Sequence, residues 1–361
     1  MKRCEVRRLH LVTYENGMEM QKRLVERRQN HQIPDQLLLL QHFPVITIGR
    51  TGKREHLLAT EDELAAKGIR FHQTTRGGDI TYHGPGQIVG YPIIHLGEGR
   101  RDVRRYVDQI EEVIIRTAAD YGVVATRDAA NRGVWVGSNK LAALGIRIAK
   151  WTTSHGFALN ITPRLDHFDL ITPCGIPGKG VTSLEALAGM ALSFEEVNNR
   201  LIHHFSEVFE REMIDASHDI EIIKVVVTAA DRVLLLRRKE DRGAFWQPVT
   251  GRIESGESAL NAARRELREE TGLEPASIEE LPLRQSFTID PEYLGSDQIA
   301  FADERTFHAS ISDRAVVTLG DEHSGYEWVS RSEALGMIRW TDDREAIERV
   351  FENRNQLRPV G

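Results

Sequence analysis

Cysteine is almost missing from this sequence, with Cys4 and Cys174 the only two among 361 residues. Two thiols so far apart frame neither a disulfide scaffold nor a four-cysteine zinc site. Long apolar runs are missing too. No stretch approaches the roughly 18 apolar residues of a membrane span, and Met1-Lys2-Arg3-Cys4-Glu5 leads into no apolar signal core. The expectation is a cytoplasmic protein with no membrane partner, which fits the scarcity of thiols. An excess of positive charge is also absent: 47 Lys and Arg against 54 Asp and Glu give a formal net charge of −7. That excludes a basic face of the kind that holds nucleic acid. Neither a repeat of fixed period nor a low-complexity tract is found.

What remains is the composition of an ordinary globular protein, 40% hydrophobic and 28% charged. The chain is longer than one core usually serves, so two domains are expected. Residue patterning predicts strands at 7–14, 36–40, 45–49 and 69–71, with helices at 16–30 and 61–67. Val103, Val107, Ile110, Ile114 and Ala118 recur at helical spacing, predicting a helix over 103–121 that Gly122 ends. A strand pair at 134–137 and 141–148 has Ser138-Asn139-Lys140 at or beside its turn. A strand at 153–161 and helices at 184–188 and 194–209 follow. Residues 210–219 are polar enough for a linker, which places the domains at 1–212 and 222–361 with 213–221 between. Strands at 222–229 and 233–236 and a helix over 259–271 open the second domain.

Cys174, in Thr172-Pro173-Cys174-Gly175-Ile176, is the one plausible nucleophile of the first domain. A thiol attacks only as thiolate, and a nearby cation lowers its pKa from about 8.5. Lys140 is the candidate cation. Taken singly, each has a plainer reading: a lysine beside a turn is usually solvated, and a free cysteine is usually buried and inert. The stretch from Arg76 to Gln87 (R-G-G-D-I-T-Y-H-G-P-G-Q) adds four glycines and a proline, which let backbone turn sharply and approach a ligand.

These pieces, with K-L-A-A-L-G-I-R at Lys140 and H-G-F-A-L-N at His155, stand in one order, and over residues 5–210 the chain resembles the lipoyl(octanoyl) transferases. The resemblance implies a biotin/lipoate protein ligase-like domain on a mixed sheet. It implies transfer of octanoyl from acyl carrier protein to a lysine of a lipoyl domain, as in 2-oxoacid dehydrogenases and the glycine cleavage H protein, through an enzyme thioester. Cys174 matches the nucleophile and Lys140 the residue that lowers its pKa. Arg76, Gly77, Gly78, Asp79, Ile80, Thr81, Tyr82 and His83, with Ala143-Leu144-Gly145 and Gly156-Phe157-Ala158, match the segments lining the acyl pocket. Backbone N–H groups near Gly145 are candidates for the oxyanion site. His83 and His155 are proton carriers or hold loops. No cofactor is implied for this domain. A lipoate protein ligase shares the fold but activates the acid with ATP and needs no cysteine. A thiol peptidase would require a histidine base that no motif pairs with Cys174.

In the second domain, Glu266, Glu269 and Glu270 stand at i, i+3 and i+4, so a helix brings three carboxylates to one face. Leu260, Ala263 and Leu267 are expected on the opposite, core-facing stripe. A solvated Glu/Arg helix is the plain reading of such a run. Yet Gly251, Glu257, Arg265-Glu266, Glu269-Glu270 and Gly272 fill every position of the pattern G-x5-E-x7-R-E-U-x-E-E-x-G-U, and here the chain resembles the Nudix hydrolases. That implies an α/β/α sandwich and Mg²⁺-dependent cleavage of a small-molecule triphosphate. By the same resemblance Glu266, Glu269 and Glu270 are metal ligands or the base, and the Gly251 carbonyl and Glu322 are further ligands. Arg265 and Glu257 are expected to brace the loop. The flanks F-W-Q-P-V-T-G and E-H-S-G-Y-E-W, with Trp340, resemble the dihydroneopterin triphosphate pyrophosphatases. Canonical or oxidised nucleoside triphosphates are alternative substrates, and a ligand-sensing Nudix domain without turnover is the non-enzymatic alternative. The fold expected is therefore an α/β (α+β) two-domain chain.

Overall fold

The computed structural model describes residues 2–97, 102–128, 131–172, 179–216, 218–289, 299–313 and 315–357. The chain divides into two compact units, Met1–Ser217 and His218–Gly361.

The first unit opens with strand β1 (Lys2–Val12) and helix α1 (Tyr14–Gln29). Thr13 separates them because its side chain accepts the Asn16 N–H at 3.2 Å and caps the helix. The strand expected to reach Tyr14 therefore stops at Val12, and Tyr14 is the first helical residue. Next come β2 (Asp35–His42), β3 (Val45–Ile48), α2 (Glu61–Ala66) and β4 (Arg70–Gln73). The glycine-rich stretch is not wholly loop: β5 (Ile80–His83) lies within it, and β6 (Gln87–Ile93) starts at its last residue. Helix α3 (Val103–Ala119) leads to β7 (Thr126–Arg127), β8 (Val134–Val136), β9 (Asn139–Ala149) and β10 (Thr152–Asn160). The unit closes with β11 (Gly180–Val181), α4 (Leu184–Ala188), α5 (Phe194–Phe209) and β12 (Arg211–Asp215).

Its main sheet runs β12-β1-β2-β6-β10-β9-β8-β7, with β11 also beside β9. β12, β1 and β2 are mutually parallel, and β2-β6-β10-β9 is antiparallel. A three-stranded sheet β4-β3-β5 stands apart. Alternation along the strands sends Val6, Leu37, Leu39, Ile88 and Leu159 into a core shared with Ile110 and Ile114 of α3 and Leu201 and Phe205 of α5. Helix α1 packs on β6 and β10. The stretch expected as linker is largely strand: Arg211–Asp215 pairs with Lys2–Val6, and the buried Arg211 guanidinium donates to Asp35 at 2.8 Å. The polar residues of this segment thus satisfy an ion pair inside the fold.

The second unit contains β13 (Ile220–Ala229), β14 (Arg232–Arg238), β15 (Trp246–Gln247), β16 (Val249–Arg252), α6 (Ala259–Thr271), β17 (Ser277–Ile289), β18 (Ala300–Ser310), β19 (His323–Ser330), α7 (Arg331–Met337) and α8 (Thr341–Leu357). Its strands run β15-β14-β13-β18-β17, with β16 beside β13 and β19 beside β14. β13 and β18 are parallel, the other pairs antiparallel. Ile223, Val225 and Val227 face α6, where Ala262, Ala263 and Leu267 are buried. Leu260, expected on that stripe, is 41% exposed. At 100° per residue position 260 falls between the buried Leu267 and Thr271, so its exposure comes from its place in the first turn of the helix, which is left uncovered on that side. Helix α8 covers the other face and contacts β13 and β17, completing an α/β/α arrangement. Among the described residues no helix is long and apolar enough to cross a membrane.

Candidate active sites

The first unit holds a cavity of ≈ 250 Å³ along β9 and β10. Arg76, Gly78, Asp79, Ile80, Thr81 and His83 line it together with Ala143, Leu144, Gly145, Gly156, Phe157 and Ala158. Small residues face each other across the strand pair, Gly145 opposite Gly156 and Ala143 opposite Ala158. A Cβ at Gly156 would fall 2.1 Å from the Gly90 carbonyl oxygen, so only glycine fits there. Gly77 and Tyr82, expected in the lining, are not part of it. Gly77 ties its N–H to the Ile146 carbonyl at 3.2 Å. Tyr82 turns to the core of the small sheet, where its hydroxyl meets His167 Nδ1 at 2.9 Å. Thr81 and His83 share the strand face that Tyr82 leaves, whereas Ile80 lies on the face of Tyr82 and still reaches the lining.

Lys140 lines the cavity at one end and is only 7% exposed. It lies inside β9, its backbone paired with Val181 of β11, and its ammonium sits over the Trp135 ring at 4.6 Å. Cys174 lies outside the described residues. The chain on its N-terminal side is tied down, with the Thr172 N–H donating to the His56 carbonyl at 2.8 Å. The other cysteine, Cys4, is fully buried in the core, and burial followed by the Asp35 carboxylate pushes its thiol well above its ordinary pKa. Cys4 is therefore inert as a nucleophile.

Part of the cavity lining is aromatic and polar. Burial, then the Arg76 cation, lowers His155 to about 4, and burial with His42 and Arg76 holds His83 well below the usual imidazole range. Both rings are neutral at physiological pH. His83 Nδ1–H donates to Gln87 at 3.2 Å, and the Gln87 amide donates to Asn160 at 3.0 Å. His155 has a left-handed backbone, φ 55°, held by its N–H donating to Gln21 at 2.6 Å. Asn160, the last residue of the H-G-F-A-L-N segment, also lines the cavity, as do Tyr14, Tyr91, Asn131 and Arg132, which have no sequence signal of their own. Tyr91 belongs to a buried chain in which its hydroxyl donates to His42 Nε2 at 2.6 Å while His42 Nδ1–H donates to the Val12 carbonyl at 2.8 Å.

In the second unit, Gly251, Glu266, Glu269, Glu270 and Glu322 line one cavity of ≈ 710 Å³. Arg265 braces the loop as expected: its guanidinium donates to Glu257 at 2.9 and 3.1 Å and to the Arg252 carbonyl at 2.9 Å. It also donates to Glu266 at 2.7 Å and Glu269 at 3.2 Å. Burial, then the neighbouring Glu266, pushes Glu270 up to about 8, and burial also raises Glu266. The Glu270 Oε2 atom is buried with no hydrogen-bond partner. Five carboxylates around one cavity, Asp321 joining Glu266, Glu269, Glu270 and Glu322, with an orphaned oxygen on Glu270, suit a hard divalent cation. Arg238, absent from the sequence expectations, also lines the cavity and pairs with Glu322.

Residues 13–206 match the lipoyl protein ligase A/B catalytic domain, and residues 220–350 match the NUDIX domain. An octanoyltransferase of Myxococcus xanthus is 42% identical over 97% of this chain and 99% of its own length. A lipoate-protein ligase A crystallised with ATP is 18% identical, with a TM-score of 0.50 over 59% of this chain and 89% of that one, a likeness of fold alone. The Escherichia coli dihydroneopterin triphosphate pyrophosphohydrolase structure is 28% identical over 38% of this chain and 97% of that chain, with a TM-score of 0.34.

Proposed function

We propose a two-step acyl transfer and a separate pyrophosphate hydrolysis for this chain, which belongs to the lipoyl protein ligase A/B catalytic domain family as a lipoyl(octanoyl) transferase fused to a Nudix hydrolase. In the first step the Cys174 thiolate attacks the thioester of octanoyl-acyl carrier protein. The carrier thiol leaves and octanoyl remains on the enzyme as a thioester. In the second, the lysine amine of a lipoyl domain attacks that thioester and displaces the Cys174 sulfur. As an ammonium Lys140 stabilises the thiolate and gives its proton to the departing carrier sulfur in the first step; the neutral amine so formed takes a proton from the attacking amine in the second, which restores the thiolate and ammonium pair.

The observation that carries this reading is the burial of Lys140 at one end of an acyl-sized cavity. A buried ammonium there favours an anion beside it far more than a solvated one would. The apolar faces of Ala143, Leu144, Phe157 and Ala158 suit an aliphatic chain. Imidazoles that burial holds neutral are weak bases, so His83 and His155 suit positioning rather than proton exchange with Cys174. Reaction in the cytoplasm keeps the thiol reduced. Intact-mass spectrometry after mixing with octanoyl-acyl carrier protein tests the reading, with one octanoyl group gained by the wild type and none by Cys174→Ser.

For the second unit the proposed reaction is Mg²⁺-dependent release of pyrophosphate from a triphosphate, with dihydroneopterin triphosphate as first candidate on the sequence flanks of the box. Glu266, Glu269 and Glu270, with Glu322 and the Gly251 carbonyl, are the residues that would hold the ion. Bound there, Mg²⁺ supplies phosphate polarisation and a more acidic water. Arg238 faces the same cavity and offers a cation to the phosphate chain. Pyrophosphate release from a panel of triphosphates, with Mg²⁺ and with chelator, tests it. Hydrolysis of one substrate that is lost in chelator and in Glu269→Gln is expected; no release from any substrate would favour a ligand-sensing domain.

A further inference from the structure

Lys140 and Lys179 share one aromatic partner. The Lys140 ammonium lies 4.6 Å from the Trp135 ring centroid and the Lys179 ammonium 4.2 Å from it. An indole face attracts a cation, but two ammonium groups over one ring repel each other. The second stays only if something fixes it, and Asp128 does so. Its carboxylate pairs with Lys179 and also accepts the Asn131 backbone N–H at 3.1 Å and side-chain amide at 3.2 Å. The Asn131 carbonyl in turn accepts the Trp135 indole N–H at 3.0 Å. Ring, acid and both ammonium groups form one connected network.

The backbone reinforces it. Lys179 directly precedes β11, whose Gly180 and Val181 pair with Asn139 and Lys140, and the Thr182 N–H donates to the Lys140 carbonyl at 3.0 Å. The loop that carries Asn131 is fixed to α3 by the fully buried Glu111, which accepts the Gly133 N–H at 3.1 Å and pairs with Arg132 at 3.4 Å. At Gly133 a Cβ would lie 2.7 Å from the Ala142 carbonyl oxygen and 3.3 Å from Lys140 Cε, so the loop packs tightly on the lysine stem. Lys140 lines the acyl cavity, whereas Lys179 does not.

We propose that Lys179, clamped by Asp128 against Trp135, is a positioning residue for Lys140. With a second cation over the indole, the ring holds the Lys140 ammonium less firmly and gives it up more readily to the thiolate of the proposed transfer. Without Lys179 the ring is left to Lys140 alone and competes with the thiolate for it. The inference rests on the two-step transfer proposed above.

The test is single-turnover acylation by octanoyl-acyl carrier protein, followed by intact mass across a pH series in the full-length protein. Lys179→Met is expected to acylate about tenfold more slowly at neutral pH and to reach its half-maximal rate roughly 1 pH unit higher. The donor concentration for half-saturation stays unchanged. Lys179→Arg keeps the charge and restores the rate to within about twofold. Asp128→Asn leaves Lys179 in place, keeps an oxygen for the Asn131 N–H and removes the charge that clamps the ammonium, so it follows Lys179→Met in both readouts and carries the test if Lys179→Met fails to fold. Wild-type rate and profile in Lys179→Met, or in Asp128→Asn where Lys179→Met does not fold, overturn the proposal. So does a slow Lys179→Arg with an unshifted profile, which marks a merely structural role. A wild-type protein that gains no octanoyl group overturns the thioester reading and this inference together; an adduct on the wild type with unaltered variants overturns this inference alone.

Discussion

Gly251 lies against the side chain of Glu266, so that a Cβ at position 251 would fall 1.9 Å from Glu266 Cδ and 2.1 Å from its Oε1. Glycine is required here for close approach, since Gly251 is not among the residues with positive φ. β16 and α6 can bring the carbonyl of one and the carboxylate of the other to the same cavity only if nothing stands between them. Gly251→Ala should therefore displace the Glu266 carboxylate and lower triphosphate hydrolysis by about 100-fold, the scale expected from an ångström of misplacement. Octanoyl transfer, measured on the same preparation, should be unchanged.

Lys140→Ala removes the one lysine ammonium that the described residues bring to a cavity lining that also holds the Arg76 and Arg132 guanidinium groups. Acylation should slow, and the pH at which it reaches half its maximum should rise by roughly 1 to 3 units, the range a nearby opposite charge commands. Because His83 and His155 are neutral, neither supplies that cation at physiological pH. An acylation pH profile checks it, and an unchanged one would reduce Lys140 to a structural role.

Lys224 predicts a pH dependence for the second unit. It is buried, 2.8 Å from Glu304, 2.8 Å from Asp343 and 3.4 Å from Asp342. Burial opposes its charge, yet Asp343, Glu304 and Asp342 together hold it well above the ordinary lysine value. One ammonium cannot compensate three carboxylates. Burial accordingly raises Glu304 to about 7, and Asp343 is raised as well. An acid whose pKa is higher in the folded state contributes stability that is full below its unfolded value, near 4.5, and lost as pH rises through the folded value. Protection of β13 and β18 amides from hydrogen exchange, corrected for the intrinsic rate, should fall between pH 4.5 and pH 7. Glu304→Gln should flatten that fall, whereas Lys224→Met, which strands the acids, should destabilise by about 3–5 kcal/mol.

The sequence was most legible where chemistry is local. Glu266, Glu269 and Glu270 fall within two helical turns, so spacing alone put them on one face, and Arg265 with Glu257 followed from the same motif. Leu260 was misread because helical spacing puts it between the buried Leu267 and Thr271, and spacing does not show that the first turn of α6 is left uncovered on that side. Lys140 looked exposed because its cover comes from elsewhere in the chain: β11 pairs with its backbone and Trp135 lies under its ammonium. Lys224 gave no signal, since its partners lie 80 or more positions away and only the sheet and α8 bring them together. Arg211 and Asp35 were invisible as a pair for the same reason, and β12 read as linker.

The most direct measurement of the central claim is a chase. The octanoyl-loaded enzyme, freed of donor, is mixed with an apo lipoyl domain in the absence of ATP, and both proteins are weighed over time. Octanoyl is expected to leave Cys174 and appear on the lipoyl-domain lysine at the same rate, with none moving in Cys174→Ser. A lipoyl domain that gains octanoyl only when free octanoate and ATP are supplied, equally well with Cys174→Ser, would contradict it.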